Sequence, residues 1–314
     1  MASGSFAVPA GDVARVLWSA IAGSDAGVAD NVRAVVLDVR GPRVLAALAV
    51  GAALAAAGAT YQGLFRNALV APDILGVSAG CALGAVTAIF LALPAPAVQA
   101  FAFAGGIVAV GLVVAIASWV RGHDRVLTLV LTGVVVGSLF AAGVAFAKSV
   151  ADPYNQLPAM TFWLLGSLSA TGVSDLLPLF GPVALGTAVL IALRWRMNVM
   201  SLAEEEARAL GVATGPLRIA IVAAATLVTS ASVATAGIIG WVGLVVPHLA
   251  RSLVGPDFAR LLPAAAILGG GYLLLIDTLA RTMAQVEIPL GILTAVIGTP
   301  FFIWLLASVQ KNWS

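Results

Sequence analysis

Three consecutive carboxylates, Glu204, Glu205 and Glu206, stand in the stretch SLAEEEARALGVATGPLR between Ser201 and Arg218. They lie in a chain that is 61% hydrophobic and 10% charged. Grouped carboxylates serve acid–base catalysis or metal binding when a histidine or second acid shares their cleft. Here the two histidines stand elsewhere, His123 in the loop RGHDR and His248 just after Pro247, and both read as surface residues. No His, Cys and Asp set has metal-ligand spacing, which speaks against a membrane-embedded enzyme. The single cysteine, Cys81, lies in an apolar run, reads as a packing residue and excludes a disulfide within the chain. No G-x-x-x-x-G-K-[ST] phosphate loop occurs, so the chain is not itself an ATPase of that type. A second charge pattern remains. Asp277 and Arg281 are four apart in YLLLIDTLART and can neutralise each other on one helix face. An isolated charge in such a span costs about 3 kcal/mol on insertion scales. Arg281 then either snorkels outward or is offered to a partner at the outer surface. Thr226, Thr229, Ser230, Ser232 and Thr235 share one apolar stretch and either bond back to helix carbonyls or line a polar path.

The elements that carry these residues follow from composition. The mean hydropathy is +1.08 over 314 residues, and the apolar residues form nearly uncharged runs of about 20, the length that spans hydrocarbon as helix. The chain is therefore read as an all-α polytopic membrane protein, because open strands would leave backbone groups unpaired in lipid. Spans are expected at about 44–65, 74–93, 97–119, 126–148, 175–195, 217–237, 262–283 and 288–308. A short apolar piece near 243–253 forms a partial crossing, and PAMTFWLLGSLSA near 158–170 reads as an interfacial helix. The whole of 1–314 is one transmembrane domain, with 1–43 outside the membrane and 197–216 as a polar loop. The basic residues are scattered among loops, and no nucleic-acid partner is expected.

Loop charges give the orientation. With the short crossing counted, Arg66, Arg121, Arg125, Arg194, Arg196, Arg208, Arg218, Arg251, Arg260 and Lys311 fall on one side, and Lys148 and Arg281 on the other. The first side is cytoplasmic, and the glutamates with it. Arg40 and Arg43 precede the first span on the outer side, after an amphipathic stretch, FAVPAGDVARVLWSAIAG, that lacks the uninterrupted core of a signal peptide.

Small residues recur every four positions at Ala47, Gly51, Ala55 and Ala59, and at Gly133, Gly137, Ala141 and Ala145. That spacing lets helix backbones approach closely, within the chain or at a dimer seam. In the polar island, LAEEEARALGV forms helix, its acids suit a helix N-terminus, and Gly211 stands where the helix stops. Leu202, Ala209 and Leu210 give it an apolar edge, so the residues alone allow either a solvated loop or a short protruding helix. Gly298 and Pro300 in VIGTPFF are expected either to break the last helix or to mark a packing kink.

These stretches, with RGPRVLAALAVGAALAAAGATYQGLFRNALVAPDILGVSAG (40–80), GIIGWVGLVVPHLAR (237–251), LLPAAAILGGGYLLLIDTLAR (261–281) and EIPLGILTAVIGTPFFIWLL (287–306), resemble the permease subunit of the ABC importers for iron–siderophore, haem and vitamin B12. The similarity runs in order from about residue 5 to the end. It implies the type II importer fold. It also implies a subunit of the bacterial inner membrane that pairs with a second permease, two ATPase subunits and a periplasmic or lipoprotein binding protein. No cofactor is expected on this chain, with ATP and Mg held by the partner subunits. An iron chelate, siderophore or haem, is the expected cargo; vitamin B12 or another metal complex is the alternative within the family. A secondary transporter without ATPase is the alternative outside it, although such carriers usually bury paired ionisable groups at mid-membrane.

The resemblance assigns ATPase coupling to Glu204, Glu205, Glu206, Ala207, Leu210 and Gly211, and docking of the binding protein to Arg40, Arg43 and Arg281. Thr128, Thr132 and Ser138 are the polar candidates for the translocation path. Family members carry ten transmembrane helices, the first of them ending near Gly4 here, so about nine are expected. A misassigned start, a trimmed chain and a nine-helix form are the three accounts. RGPR also departs from the family's RLPR at Gly41, and RNALV from RNPLA at Ala68, with no consequence for the general function.

Overall fold

The structure is a computed structural model and describes residues 8–23, 27–120, 125–202 and 204–310. In chain order the helices are α1 (Ala10–Ala22), α2 (Asp30–Ala34), α3 (Gly41–Leu64), α4 (Val77–Phe90), α5 (Ala95–Trp119), α6 (Arg125–Val150), α7 (Gln156–Leu165), α8 (Val173–Met200), α9 (Glu204–Ala209), α10 (Thr214–Ala236), α11 (Val242–Val254), α12 (Phe258–Thr282) and α13 (Leu290–Gln310). Among the described residues six helical stretches are long and apolar enough to cross a membrane, and three shorter apolar helices join them at 77–90, 242–254 and 290–304. The fold is all-helical, with no strand among the described residues.

The first long helix starts earlier than expected. It runs from Asp30 to Leu64 without a break, so Arg40 and Arg43 sit on helix rather than on a loop. The reason lies at Pro42, which has no N–H to give and would clash inside a regular α-turn. A π-helical turn at Val35–Arg40 widens the register there, and Gly41 N–H bonds to Val36 O. α4 is shorter than its apolar run, because Leu91–Ala92 turns the chain back by bonding to Thr87 O and Ile89 O.

Two helices form the centre. In the membrane-crossing window, 78% of Asp30–Leu64 and 72% of α10 is buried, against 22–39% for the other long helices. α3 can be central because it is nearly all Ala and Gly on its packed faces. A Cβ on Gly51 would lie 2.2 Å from Gly269 O of α12, and one on Gly58 would lie 1.9 Å from Gly243 O of α11. Ala47, Ala55 and Ala59 are fully buried beside them, so this small-residue repeat is an internal seam. Lipid supplies no hydrophobic drive between helices, and close backbone packing takes its place. On α6 only half of the repeat behaves this way. Gly133 and Gly137 seat the turn Ile74–Gly76, whereas Ala141 and Ala145 stay exposed.

Three hydroxyls of α10 bond back to the helix. Thr229 donates to Ala225 O, Ser232 to Val228 O and Thr235 to Ala231 O, while Thr226 meets the Tyr61 hydroxyl at 3.2 Å. Thr226, Thr229, Ser230 and Ser232 are buried against neighbouring helices. The last helix is not broken at Gly298 or Pro300: α13 is continuous across both. Gly298 is instead the site where Trp241, held at φ 70°, lays its side chain against α13.

Candidate functional site

At the end of the bundle that the loop charges predict to be outer, three elements converge on Arg43. Its Nε and Nη2 donate to Asp277 Oδ1 at 2.9 and 2.7 Å, from the last turns of α12. Its Nη1 donates to Glu287 Oε2 at 3.0 Å, and Nη2 also pairs with Glu287 Oε1, from the segment leading into α13. The planar fork of Arg suits this double engagement, which Lys could not reproduce. Asp277 is fully buried and takes a third donor, Arg281 Nε, on its other oxygen at 3.2 Å. The Asp277–Arg281 pair expected from the i, i+4 spacing is therefore present, but it is part of a larger clamp. Arg40 is buried at 7% exposure and lies close enough to Arg281 to feel its charge. The clamp holds the start of α3, the end of α12 and the approach to α13 together. Leu290 N–H, just beyond it, bonds to Gly166 O at the end of α7.

At the opposite end α9 stands between α8 and α10. It ends in a Schellman motif: Val212 N–H reaches back to Ala207 O at 3.1 Å and Gly211 N–H to Arg208 O at 2.9 Å. Gly211 has φ 78°, a conformation that glycine adopts without penalty. Ala207 is buried and anchors the helix, while Leu202 and Leu210 point outward at 42% and 62% exposure. Glu205 and Glu206 are exposed; the side chain of Glu204 lies outside the described residues. Arg66, at the end of the first long helix, reaches Leu202 O at 3.4 Å. The expected apolar edge is present at Leu202 and Leu210, with Ala209 exposed beside them.

The three path candidates of α6 do not share one environment. Ser138 lies on the exposed face with Leu131, Val134, Val135 and Leu139, its hydroxyl bonded to Val134 O. Thr132 is turned toward the protein at 9% exposure, and Thr128 is half-buried. His248 lies on α11, half-buried, and His123 lies outside the described residues. No group of three His, Cys, Asp or Glu able to hold a metal exists among the described residues. Sequence reasoning did not single out Glu287, although Arg43 needed a partner once Asp277 was matched to Arg281. It also passed over Asn198, whose amide is used at both ends and which is described below.

The model of the FecCD transport family matches residues 1–308. The chain belongs to this family. As a FecCD permease it is 38% identical to the molybdate import system permease protein MolB of Haemophilus influenzae, over 98% of this chain and 91% of that one. It is 43% identical to the cobalamin import system permease protein BtuC of Halobacterium salinarum, over 89% and 75%. A solved structure of a metal-chelate type ABC transporter in an inward-facing conformation superposes with a TM-score of 0.85 at 37% identity, covering 95% and 98% of the two chains. The FecCD chain is thus a multi-pass permease subunit of an ABC importer rather than a catalytic subunit, and the ATPase-independent carrier considered from the sequence is set aside.

Proposed function

We propose that this FecCD permease carries an iron chelate, siderophore or haem, from periplasm to cytoplasm across the bacterial inner membrane. It works by alternating access, with a second permease, two ATPase subunits that hold ATP and Mg, and a periplasmic or lipoprotein binding protein. The observation that carries the reading is α9. A six-residue helix, stopped by its own cap, anchored by Ala207 and presenting Leu202 and Leu210 to solvent, is shaped to enter a groove on a partner. Capped helix transmits a displacement as a rigid body, which a loose loop does not. Glu204, Glu205, Glu206, Ala207, Leu210 and Gly211 are its coupling residues.

At the outer end Arg40, Arg43 and Arg281 are to meet the binding protein as one group, through the little surface they expose, since Arg40 and Arg43 are buried and Arg43 is engaged by Asp277 and Glu287. Asp277 and Glu287 offset part of their charge. Exposed pairs contribute about 0–1 kcal/mol each, so docking uses the patch as a whole. Thr128, Thr132 and Ser138 remain the candidates for the path. The exposed face of α6 is mostly apolar, with Leu131, Val134, Val135, Leu139 and Phe146, and its exposed hydroxyls, Ser138 and Ser149, are bonded back to the helix. Such a wall suits a metal inside an organic ligand shell better than a bare oxyanion, which needs several donors. MolB is named for molybdate, so the cargo is tested directly. Calorimetry of the cognate binding protein with ferric siderophore, haem, cobalamin and molybdate should show ferric siderophore or haem binding; binding of molybdate or cobalamin alone refutes the cargo.

The coupling role is tested by E204Q/E205Q/E206Q/L210A in the reconstituted importer. Uptake should fall by roughly tenfold, about 1.4 kcal/mol of docking energy, with insertion intact. Co-purifying ATPase subunits together with wild-type uptake would remove α9 from the mechanism.

A further inference from the structure

α8 and α10 are joined to α9 by the chain itself, but α12 is not. α12 arrives at the cytoplasmic end through Asp257 and Phe258, after a turn in which Gly255 has φ 83°. One side chain of α8 meets it there. Asn198 stands three residues before Ser201 and uses both halves of its amide. Nδ2 donates to Asp257 Oδ1 at 2.7 Å, and Oδ1 accepts from Phe258 N–H at 2.9 Å. Asp257 is also the N-cap of α12, its Oδ1 accepting from Ala259 N–H at 3.0 Å. Phe258 is buried, and its ring fills the space left by Gly63 near the end of α3. From this foot α12 runs 25 residues, locked on α3 at Gly269, to Asp277 and Arg281 of the outer clamp.

We propose that Asn198 is a positioning residue for transport, tying the coupling segment to the foot of α12 so that displacement of α9 reaches the outer arginines through α12 as one rod. The inference rests on the coupling role of α9. An amide is required because the site needs a donor toward Asp257 and an acceptor toward Phe258 N–H from one planar group, and a carboxylate or an alkyl chain offers at most one of these. Both bonds leave from a single side chain, so one substitution removes the tie without touching α9 or the clamp.

The test is a charge-swap cycle in the complete importer, reconstituted with its ATPase subunits and binding protein and supplied with radiolabelled ferric siderophore. N198D sets two carboxylates against each other. N198D/D257N rebuilds the tie in reverse: the amide at 257 donates to the carboxylate at 198, which still accepts from Phe258 N–H, at the expense of the N-cap bond to Ala259, because the one oxygen that meets Asn198 also serves Ala259 N–H. D257N alone keeps every bond and should behave as wild type. N198D should move roughly fivefold less solute per ATP hydrolysed, and the double variant should recover most of that ratio. N198S, which removes both bonds without adding charge, should lower the ratio likewise and decides the matter if N198D does not assemble. A purely architectural contact would change the yield of folded complex and leave the ratio alone. That result, or failure of the swap to restore the ratio, overturns the proposal. If the α9 quadruple variant lowers the ratio and N198S does not, only this inference falls; if neither does, the coupling role of α9 falls with it.

Discussion

Replacing Asp277 by Asn isolates the electrostatics of the outer clamp, because the side chain keeps its shape and loses only its charge. Oδ1 can still accept from Arg43, but an NH2 group then faces Arg281 Nε, which now sits 3.2 Å from Oδ2, donor against donor. Arg43 then keeps its contact with Glu287, whose side chain is 28% exposed, where Asp277 is fully buried. Removing one partner of a buried ion pair costs about 3–5 kcal/mol, and the surviving Arg43–Glu287 contact places this case near the lower end. At about 2–4 °C per kcal/mol for chains of a few hundred residues, the melting midpoint of D277N should fall by roughly 6–12 °C. E287Q removes the more exposed carboxylate and should cost only about 1 kcal/mol, shrinking further in high salt as screening reaches it. The assay is thermal unfolding of the purified permease in nanodiscs, followed by size-exclusion chromatography at low and high salt. A D277N midpoint within about 2 °C of wild type, or a larger loss in E287Q than in D277N, would refute the claim that burial sets the energetics of the clamp.

Gly58→Ala should be among the most damaging single-methyl changes, because the new Cβ meets Gly243 O at 1.9 Å, a backbone atom that cannot swing away; a loss of about 1–3 kcal/mol should appear as reduced detergent-stable yield, whereas Gly111→Ala, with nothing within 4 Å, should be silent. At the foot of α12, bonds from Ala259 N–H and Asn198 hold the Asp257 carboxyl below the usual carboxylate range. The stability it contributes is therefore present at neutral pH, persists to about pH 4 and is lost only as pH falls through its depressed value. D257N should flatten the acid end of the pH–stability curve, and an unchanged acid limb would show that this carboxyl is not stabilised by folding.

The sequence by itself determined that the chain is a bundle of membrane helices and where the polar helix between α8 and α10 protrudes; its loop arginines also predict which end is cytoplasmic. Run length, loop arginines and a glycine stop are local properties, and a bilayer leaves the backbone no alternative to helix. It also placed Asp277 beside Arg281, because four residues are one helical turn. What it could not supply was any partner from a distant helix. Arg43 finds Asp277 and Glu287 across more than 230 residues of chain, and Asn198 finds Asp257 and Phe258 across about 60. The first contact is set where α3 and α12 lie backbone against backbone at Gly51 and Gly269, and the second where α8 packs beside the start of α12. The same holds for Thr226, Thr229, Ser230 and Ser232 of α10 and for the glycine at 298: a small or polar residue in an apolar run can face a pore or a neighbour, and only the tertiary packing decided that these face neighbours.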